Sequence, residues 1–531
     1  MRTRLIPALI LMTLLSGCHR VEDGVHTLDI YITGDVHGAY FSNFYLDDSP
    51  KPNSLSKVAA VVGEARKTDP GVILIDNGDN LQGDNGAFYF NFVDTASPHI
   101  FPRMANWMGY DATVMGNHDI EAGHAVFDRV RKQYDMPVLA ANALCSDSGK
   151  CYFDEYAIVE KNGLRVAIIG TTNPKVTSWV PENLYEGISF RTNAEMLASL
   201  VEKVRSSEKP DFVIVALHSG SGDENADDFE NDALYMARTL PGVDLVIGGH
   251  DHRARVERYM DKETPTGYVN PGPRARKLGH ARFCLTYKGG RRVADSIAVE
   301  LIPMEDVAPC AAFDSTFAAD YEAVKAFTLQ KVCSVAEPFS LADALKGPSA
   351  YMNLLYTVQL AASGADITFA APLSSQGEIP AGDLIFNSLS RIYPFENKLY
   401  TISLSGEQVK NYLEYSYDKW LSLSGPAYSY DSAGGIIYKV HKSRPAGSRV
   451  EIISMEDGSA FDAARTYTVA VTSYRAMGGD GMLSEGAGLD TSDPDSYIVA
   501  RYPDIRGLIY LYLNGLGTYT PTRNTNWQFT E

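Results

Sequence analysis

Paired thiols are what this sequence most clearly lacks. Its 531 residues include six cysteines and no CxxC pair, which removes thiolate zinc sites from consideration. Positive charge is also short: 47 Lys and Arg stand against 66 Asp and Glu, for a net charge of −19. Such a chain has no global attraction for a nucleic acid polymer, because phosphate contacts need clustered Lys and Arg, and no such partner is expected. If it handles phosphate, local positive charge has to be brought in, and bound metal ions are one source. The sequence has no internal repeat and no low-complexity segment. The apolar run Leu5–Leu15 is too short to span a bilayer as a helix, and no later run is long enough either.

What is present reads as globular. Hydrophobic residues make up 45% and charged residues 21%. A length prior of roughly 100–200 residues per domain predicts two or three domains. Arg2 and Arg4 precede the apolar run, which ends Leu15-Ser16-Gly17-Cys18. This order resembles the bacterial lipoprotein box. It predicts a signal peptide over residues 1–17, lipidation of Cys18, and an exported chain, periplasmic or cell-surface, anchored to a membrane through Cys18. The plainer alternative is an ordinary signal peptide with a chance cysteine. Cys145 and Cys151 flank a short polar loop and are expected to pair as a disulfide in an oxidising compartment; Cys310 and Cys333 are a weaker pair. Cys284 lies in an apolar, strand-like run and is expected to be buried and inert.

Buried-strand runs recur in the first half: Leu28–Thr33, Val72–Asp76, Ala112–Met115, Arg165–Ile169, Phe212–Leu217 and Val243–Ile247. Helix-like stretches such as Leu55–Lys67 and Ala194–Ser206 lie between some of them. The alternation predicts an α/β fold with a largely buried sheet. Over Ala311–Gln330, Phe313, Phe317, Tyr321, Val324 and Phe327 recur at helical spacing, which predicts an amphipathic connecting helix whose aromatic stripe packs. Beyond it, a helix over Ala350–Ser363 leads to short strands at Leu399–Leu404, Ile436–Val440, Val450–Ile453 and Tyr467–Thr472, α+β in character. The predicted units are 25–305, a connecting helix at 311–335, and 338–531.

Five of the first-half runs end in the same kind of residue. Leu28–Thr33 is followed by Gly34-Asp35-Val36-His37, Val72–Asp76 by Asn77-Gly78-Asp79-Asn80, and Ala112–Met115 by Gly116-Asn117-His118-Asp119. Phe212–Leu217 is followed by His218, and Val243–Ile247 by Gly248-Gly249-His250-Asp251-His252. Any one of these alone reads as a helix cap, a turn or a hydrogen-bonding histidine. Ligands of open α/β sheets bind beyond the carboxyl ends of the strands, so the five clusters are expected to converge. Asp35, His37, Asp79, Asn117, His218, His250 and His252 are too many donors for one tetrahedral ion. Without thiolate, they suit two divalent transition ions sharing one bridging carboxylate.

In this order the residues resemble the calcineurin-like metallophosphoesterases, and with the second unit they resemble the 5′-nucleotidase family. The resemblance implies an N-terminal metallophosphoesterase α/β sandwich, a connecting helix and an α+β C-terminal substrate-recognition domain. It implies that Asp35, His37, Asp79 and His252 hold one metal and Asp79, Asn117, His218 and His250 the other, with Asp79 bridging. The ions would be Mn, Zn, Fe or Co. His118 would stand beside the phosphoryl group and stabilise charge there, or assist the leaving oxygen. Many relatives carry an Asp three residues after this histidine; here the position is Glu121, with Asp119 a nearer alternative partner.

The same resemblance makes the C-terminal domain the nucleotide pocket. Phe395 and Tyr474 fall at positions that sandwich a base, and Asn397 and Asp480 where polar contacts are made. On the residues alone, both aromatics read as core. Where many 5′-nucleotidases carry Gly-Gly-Ile-Arg, this chain has Leu373-Ser374-Ser375-Gln376, which removes a bidentate anion clamp. Ala371-Pro372-Leu373, Tyr474-Arg475-Ala476 and Thr525-Asn526-Trp527 look more like the 2′,3′-cyclic-nucleotide 2′-phosphodiesterase/3′-nucleotidase branch, and Glu396, in place of the commoner glycine, fits less well with a plain 5′-nucleotidase. The expected activity is hydrolysis of nucleotide phosphoesters for salvage, leaning to the cyclic/3′ branch over the 5′ reaction. The rival readings are a catalytically inactive nucleotide-binding lipoprotein and a nucleotide-sugar hydrolase.

Overall fold

Strands whose side chains are apolar on both faces need a layer on each side. In the computed structural model two six-stranded sheets supply that for each other. The structure describes residues 21–180, 182–225, 228–395 and 397–531. The predicted signal peptide and Cys18 lie outside the described residues, as does Glu396. The first sheet runs Arg291–Pro303, Lys277–Lys288, Gly24–Thr33, Ile73–Asp76, Ala112–Val114, Val138–Leu139. The second runs Arg255–Tyr259, Thr266–Asn270, Leu245–Ile247, Phe212–Leu217, Leu164–Thr171, Tyr156–Lys161. Both are parallel at the centre; the second has an antiparallel strand at each edge, the first antiparallel strands at one edge only.

Alternation decides which side chains meet between the sheets. Leu28, Ile30 and Ile32 pack with Ile73 and Ile75 against Ile168, Ile214 and Ile247 of the facing sheet. The outer face of the second sheet, with Val213, Val215 and Leu217, is covered by the helix Asn193–Ser207 through Leu197, Val201 and Val204. The Glu195 carboxylate accepts from the Thr192 N–H at 2.9 Å and starts that helix. The helices Leu55–Thr68 and Ile100–Met108 cover the outer face of the first sheet. The N-terminal half is thus the α/β sandwich that the resemblance implied, in four layers, and the largely buried sheet expected from the alternation is a pair of sheets.

The connecting segment also departs from expectation. It forms two helices, Ala311–Thr316 and Ala318–Thr328, broken at Phe317 (φ −105, ψ 15), and residues Lys331–Val335 are a strand paired with Gly382–Ile385. Phe313, Phe317 and Val324 join the core of the N-terminal half, while Phe327 packs tilted against Phe386, ring centroids 4.2 Å apart. The stripe therefore packs to two sides, and the break at Phe317 lets it do so.

The C-terminal half is built on the sheet Ser432–Gly434, Ile367–Ala370, Thr466–Thr472, Lys398–Ser405, Ile498–Asp504. The helix Ala350–Ser363 forms over its expected residues, capped by Ser349, whose hydroxyl accepts from the Met352 N–H at 3.1 Å. The helix Gly406–Leu421 was not read from the sequence, although Ser405 and Gln408 bond reciprocally at 3.1 and 2.9 Å, a capping box. Its buried Val409, Tyr412, Leu413, Ser416, Tyr417 and Trp420 keep helical spacing.

The expected disulfide is absent: Cys145 and Cys151 are both free thiols, as are Cys310 and Cys333. The Cys151 thiol turns to the Ala141 carbonyl and to Glu155, each at 3.5 Å, and burial with the Glu155 carboxylate beside it pushes it up to about 11. Among the described residues no helix is long and apolar enough to cross a membrane.

Candidate functional site

The two central sheets present their carboxyl ends to a common edge. Asp35 and His37 follow Gly24–Thr33, Asp79 follows Ile73–Asp76, and Asn117 and His118 follow Ala112–Val114. His218 follows Phe212–Leu217, and His250 and His252 follow Leu245–Ile247. The loops are tied within the first sheet and across to the second. The Asp35 N–H donates to the Gly78 carbonyl at 2.9 Å, and the His37 N–H to the Asp79 carbonyl at 3.0 Å. The Asn77 side chain reaches from one sheet to the Leu217 carbonyl of the other at 2.8 Å.

Turning this sharply requires unusual backbone. Asp35, His37, Asp79, His250 and His252 all have positive φ, between 46° and 68°. Such conformations cost about 1–3 kcal/mol each for non-glycine residues and persist where the surroundings over-determine them. Gly116 is needed for close approach: a Cβ there would lie 2.1 Å from Asp79 Oδ1.

All seven predicted donors come together. His218 Nε2 lies 3.0 Å from Asp79 Oδ2 and 3.1 Å from Asn117 Oδ1. His250 Nδ1 lies 2.9 Å from the same Asn117 oxygen. His252 Nε2 is 2.9 Å from His37 Nε2 and 3.7 Å from Asp35 Oδ1. His37 Nε2 is 4.0 Å from Asp79 Oδ2. Asp35, His37 and His252 form one group able to hold a metal ion, and Asp35, Asp79 and His218 another. All but His250 and His252 are buried.

The donor chemistry fits cations. His37 Nδ1 is taken by the Gln82 carbonyl at 3.3 Å, so its Nε2 lone pair points at His252. His218 Nδ1 is likewise held by the Asn77 carbonyl at 2.7 Å, which turns Nε2 onto two acceptor oxygens. Lone pairs crowded in this way need a proton or a metal between them. The titration behaviour says the same. Burial would push His218 down, yet Asp79 and Asp35 outweigh it and raise the imidazole to about 10. Burial raises Asp35 to about 7. Asp79 resists burial and falls well below the usual carboxylate range because His218, His118 and His37 surround it.

His118 is not among the converging nitrogens. Its N–H donates to Asp79 Oδ1 at 2.8 Å, and its Nδ1 is paired with Glu121 Oε2 at 2.6 Å. Asp119, the other candidate partner, faces away from that ring. It accepts four backbone N–H groups, from Gly116, Asp79, Asn80 and Leu81, each at 2.9 Å. A buried carboxylate satisfied by four donors anchors the loops and has no capacity left for His118. The sequence reading missed Trp179, which stacks on His250 at 5.1 Å, and Glu230, 3.6 Å from His250 Nε2. It also missed Lys398. This lysine reaches from the C-terminal half into a cavity of about 340 Å³ that His118 and Glu121 also line. No single sequence signal marks these three; each is distant in the chain from what it serves.

The C-terminal residues form a second centre. Phe395 precedes the strand Lys398–Ser405 and Tyr474 follows Thr466–Thr472, and Leu399 pairs with Thr472 across the antiparallel ladder, so both rings emerge at one end of the sheet. Each is 46% exposed, and both line a cavity of about 280 Å³ with Asn397 and Tyr428. Asp431 and Arg475 form a buried ion pair at 2.8 Å at its wall. Asp480 does not line this cavity; its carboxylate meets Arg475 Nη1 at 3.3 Å from behind.

This fold and centre define a metal-dependent phosphoester hydrolase. Residues 28–254 match the family model for calcineurin-like phosphoesterase, and residues 328–485 match that for the 5′-nucleotidase C-terminal domain. The chain thus carries a calcineurin-like phosphoesterase domain followed by a 5′-nucleotidase C-terminal domain. It is similar to the trifunctional nucleotide phosphoesterase protein YfkN of Bacillus subtilis, 23% identical over 98% of this chain but only 40% of that longer protein. It is 24% identical to the 2′,3′-cyclic-nucleotide 2′-phosphodiesterase/3′-nucleotidase of Haemophilus influenzae, over 94% of this chain and 87% of that one. A candidate 5′-nucleotidase from Staphylococcus aureus, solved with α-ketoglutarate, shares the fold with a TM-score of 0.76 at 22% identity, covering 95% of this chain and 100% of that one.

Proposed function

We propose that the chain hydrolyses phosphoester bonds of nucleotides with two divalent ions held at the edge of the paired sheets. The single observation that carries this is the convergence of seven carboxylate, carboxamide and imidazole donors from both sheets around Asp79. Asp35, His37, Asp79 and His252 would hold one ion, and Asp79, Asn117, His218 and His250 the other. When bound, such a pair supplies Lewis acidity toward phosphoryl oxygens and an activated water.

The chain's own groups supply the rest. Glu121 fixes the tautomer and orientation of His118, which is placed to meet charge on the phosphoryl group or to serve the departing oxygen. Lys398 adds a cation facing the same space, in a chain whose Gln376 lacks the expected guanidinium. Phe395 and Tyr474 take the base between them, and Asn397 contacts its edge. The metal donors all come from one half of the chain and the base cavity from the other, so turnover requires the halves to approach over a bound nucleotide. The arginine-free anion segment favours 3′ and 2′,3′-cyclic esters over 5′ esters. We further infer export and a lipid anchor at Cys18, on the basis of Arg2, Arg4 and the run Leu5–Leu15.

The test is a substrate panel of AMP, 3′-AMP and 2′,3′-cyclic AMP after chelation, with Mn²⁺ or Zn²⁺ restored. Phosphate release that chelation removes and metal restores is expected, fastest on the cyclic and 3′ substrates. No release from any nucleotide, or release indifferent to chelation, overturns the proposal. Palmitate labelling that Cys18→Ser abolishes tests the anchor.

A further inference from the structure

A third cavity, of about 520 Å³, lies between the two halves of the chain, and none of the seven metal donors lines it. Its charge is unlike that of the molecule. The chain carries −19, yet the described residues that line this cavity include Lys51, Arg274 and Arg276 against the Asp84 carboxylate, with Arg506, held by backbone carbonyls, on the opposite wall. Lys51 is buried and reaches Asp84 at only 3.4 Å, and one oxygen of Asp84 already accepts the Gly86 N–H at 2.9 Å. The Arg274 and Arg276 side chains are exposed, and neither guanidinium forms an ion pair among the described residues. Arg274 is on left-handed backbone, φ 60, a conformation rare for such a residue.

Both walls are tied to functional loops. The Arg274 N–H donates to the Asp35 carbonyl at 2.7 Å. Buried Arg506 donates to the carbonyls of Tyr393 at 3.0 Å and Pro394 at 2.9 Å, beside Phe395. Lys51, Arg274 and Arg276 come from the catalytic half and Arg506 from the other.

We propose that this cavity is a binding site for a phosphate-type dianion, distinct from the metal centre and bridging the two halves. Guanidinium forks match the oxygens of phosphate and give charge-assisted hydrogen bonds that chloride cannot accept in the same geometry. Like charges gathered here repel; a dianion offsets them. The cavity exists only in this relative placement of the halves, so a bound dianion stabilises that placement by its binding free energy. The shared chemistry has two sources, free inorganic phosphate and the phosphate of a nucleotide.

Calorimetric titration of the chelator-treated full chain with inorganic phosphate tests the site without the metals. Saturable binding above a chloride control of equal ionic strength is expected, and it should weaken at least tenfold in Arg274→Gln/Arg276→Gln. Arg276→Gln alone, on an exposed side chain, guards against misfolding and should give an intermediate loss, with the circular dichroism melt unchanged. No binding above chloride, or equal binding by wild type and double variant, overturns the site. Adenosine monophosphate added before phosphate separates the sources: competition lost in the double variant assigns nucleotide phosphate, and undisturbed phosphate binding assigns the free ion. Nucleotide hydrolysis measured on the same metal-restored protein keeps the two proposals apart. Binding without hydrolysis sinks the enzymatic reading alone, and hydrolysis without binding sinks this one alone.

Discussion

Asp35, His37 and Asp79 are buried on left-handed backbone and locked by hydrogen bonds between their loops, whereas Phe395 and Tyr474 stand half in solvent, 46% exposed, at the end of a single antiparallel pair. The first region is pre-organised at the expense of local strain; the second leaves its rings room to adjust around a ligand. Metal coordination tolerates small displacements poorly, because charge stabilisation falls steeply with misplacement. Stacking on a base face is tolerant. The two halves of the molecule therefore divide the work by rigidity as well as by chemistry.

The strongest way to break this comparison is at Asp79. Asp79→Ala should remove the shared donor, lower metal content and cut nucleotide hydrolysis about a thousandfold or more. Metal analysis beside a rate measurement checks it, and near-normal turnover would mean that the convergence around Asp79 is structural. His118→Gln should lose roughly 10²–10⁴-fold in kcat with metal content unchanged. Glu121→Gln should lose less, because it acts only through the orientation of that ring.

At the other centre the effect should move from kcat to KM. Replacing Phe395 or Tyr474 by Ala removes a stacking contact worth about 1–3 kcal/mol, so KM should rise roughly tenfold while kcat changes little. Equal losses in both parameters would make these rings part of the rigid machinery instead.

The smallest effect is one of stability beneath the metal centre. Asp76 is fully buried and accepts from Thr113 Oγ1 at 2.7 Å and Asn80 Nδ2 at 2.6 Å, yet burial raises its carboxyl to about 7 from an ordinary 3.8. The folded chain then holds a proton that the unfolded chain releases. Below 3.8 both states are protonated, and above about 7 the folded state carries the full cost of the buried charge. Stability of the metal-free protein should fall between those values, and Asp76→Asn should flatten the difference. Denaturant midpoints across that pH range check it.

The helix over Ala350–Ser363 and the strand runs were legible because the hydrophobic period and the caps are local. The helix Gly406–Leu421 was legible too, through its Ser405 and Gln408 box, but went unread. The break at Phe317 was not legible, since it answers to cores on two sides of the helix. The free thiols of Cys145 and Cys151 likewise depend on where the Ala141 carbonyl and Glu155 fall.

By itself the sequence determined which donors this protein owns. Asp, Asn and His residues placed just after buried strands mark ligand positions, because strand ends in an α/β fold are where backbone turns outward. Only the tertiary structure decided which groups serve which. It brought the two sheets' ends together at Asp79, paired His118 with Glu121 while spending Asp119 on four backbone amides, and carried Lys398 across from the other half of the chain. Partners so far apart in the chain meet through packing of whole layers, a property that no local pattern encodes.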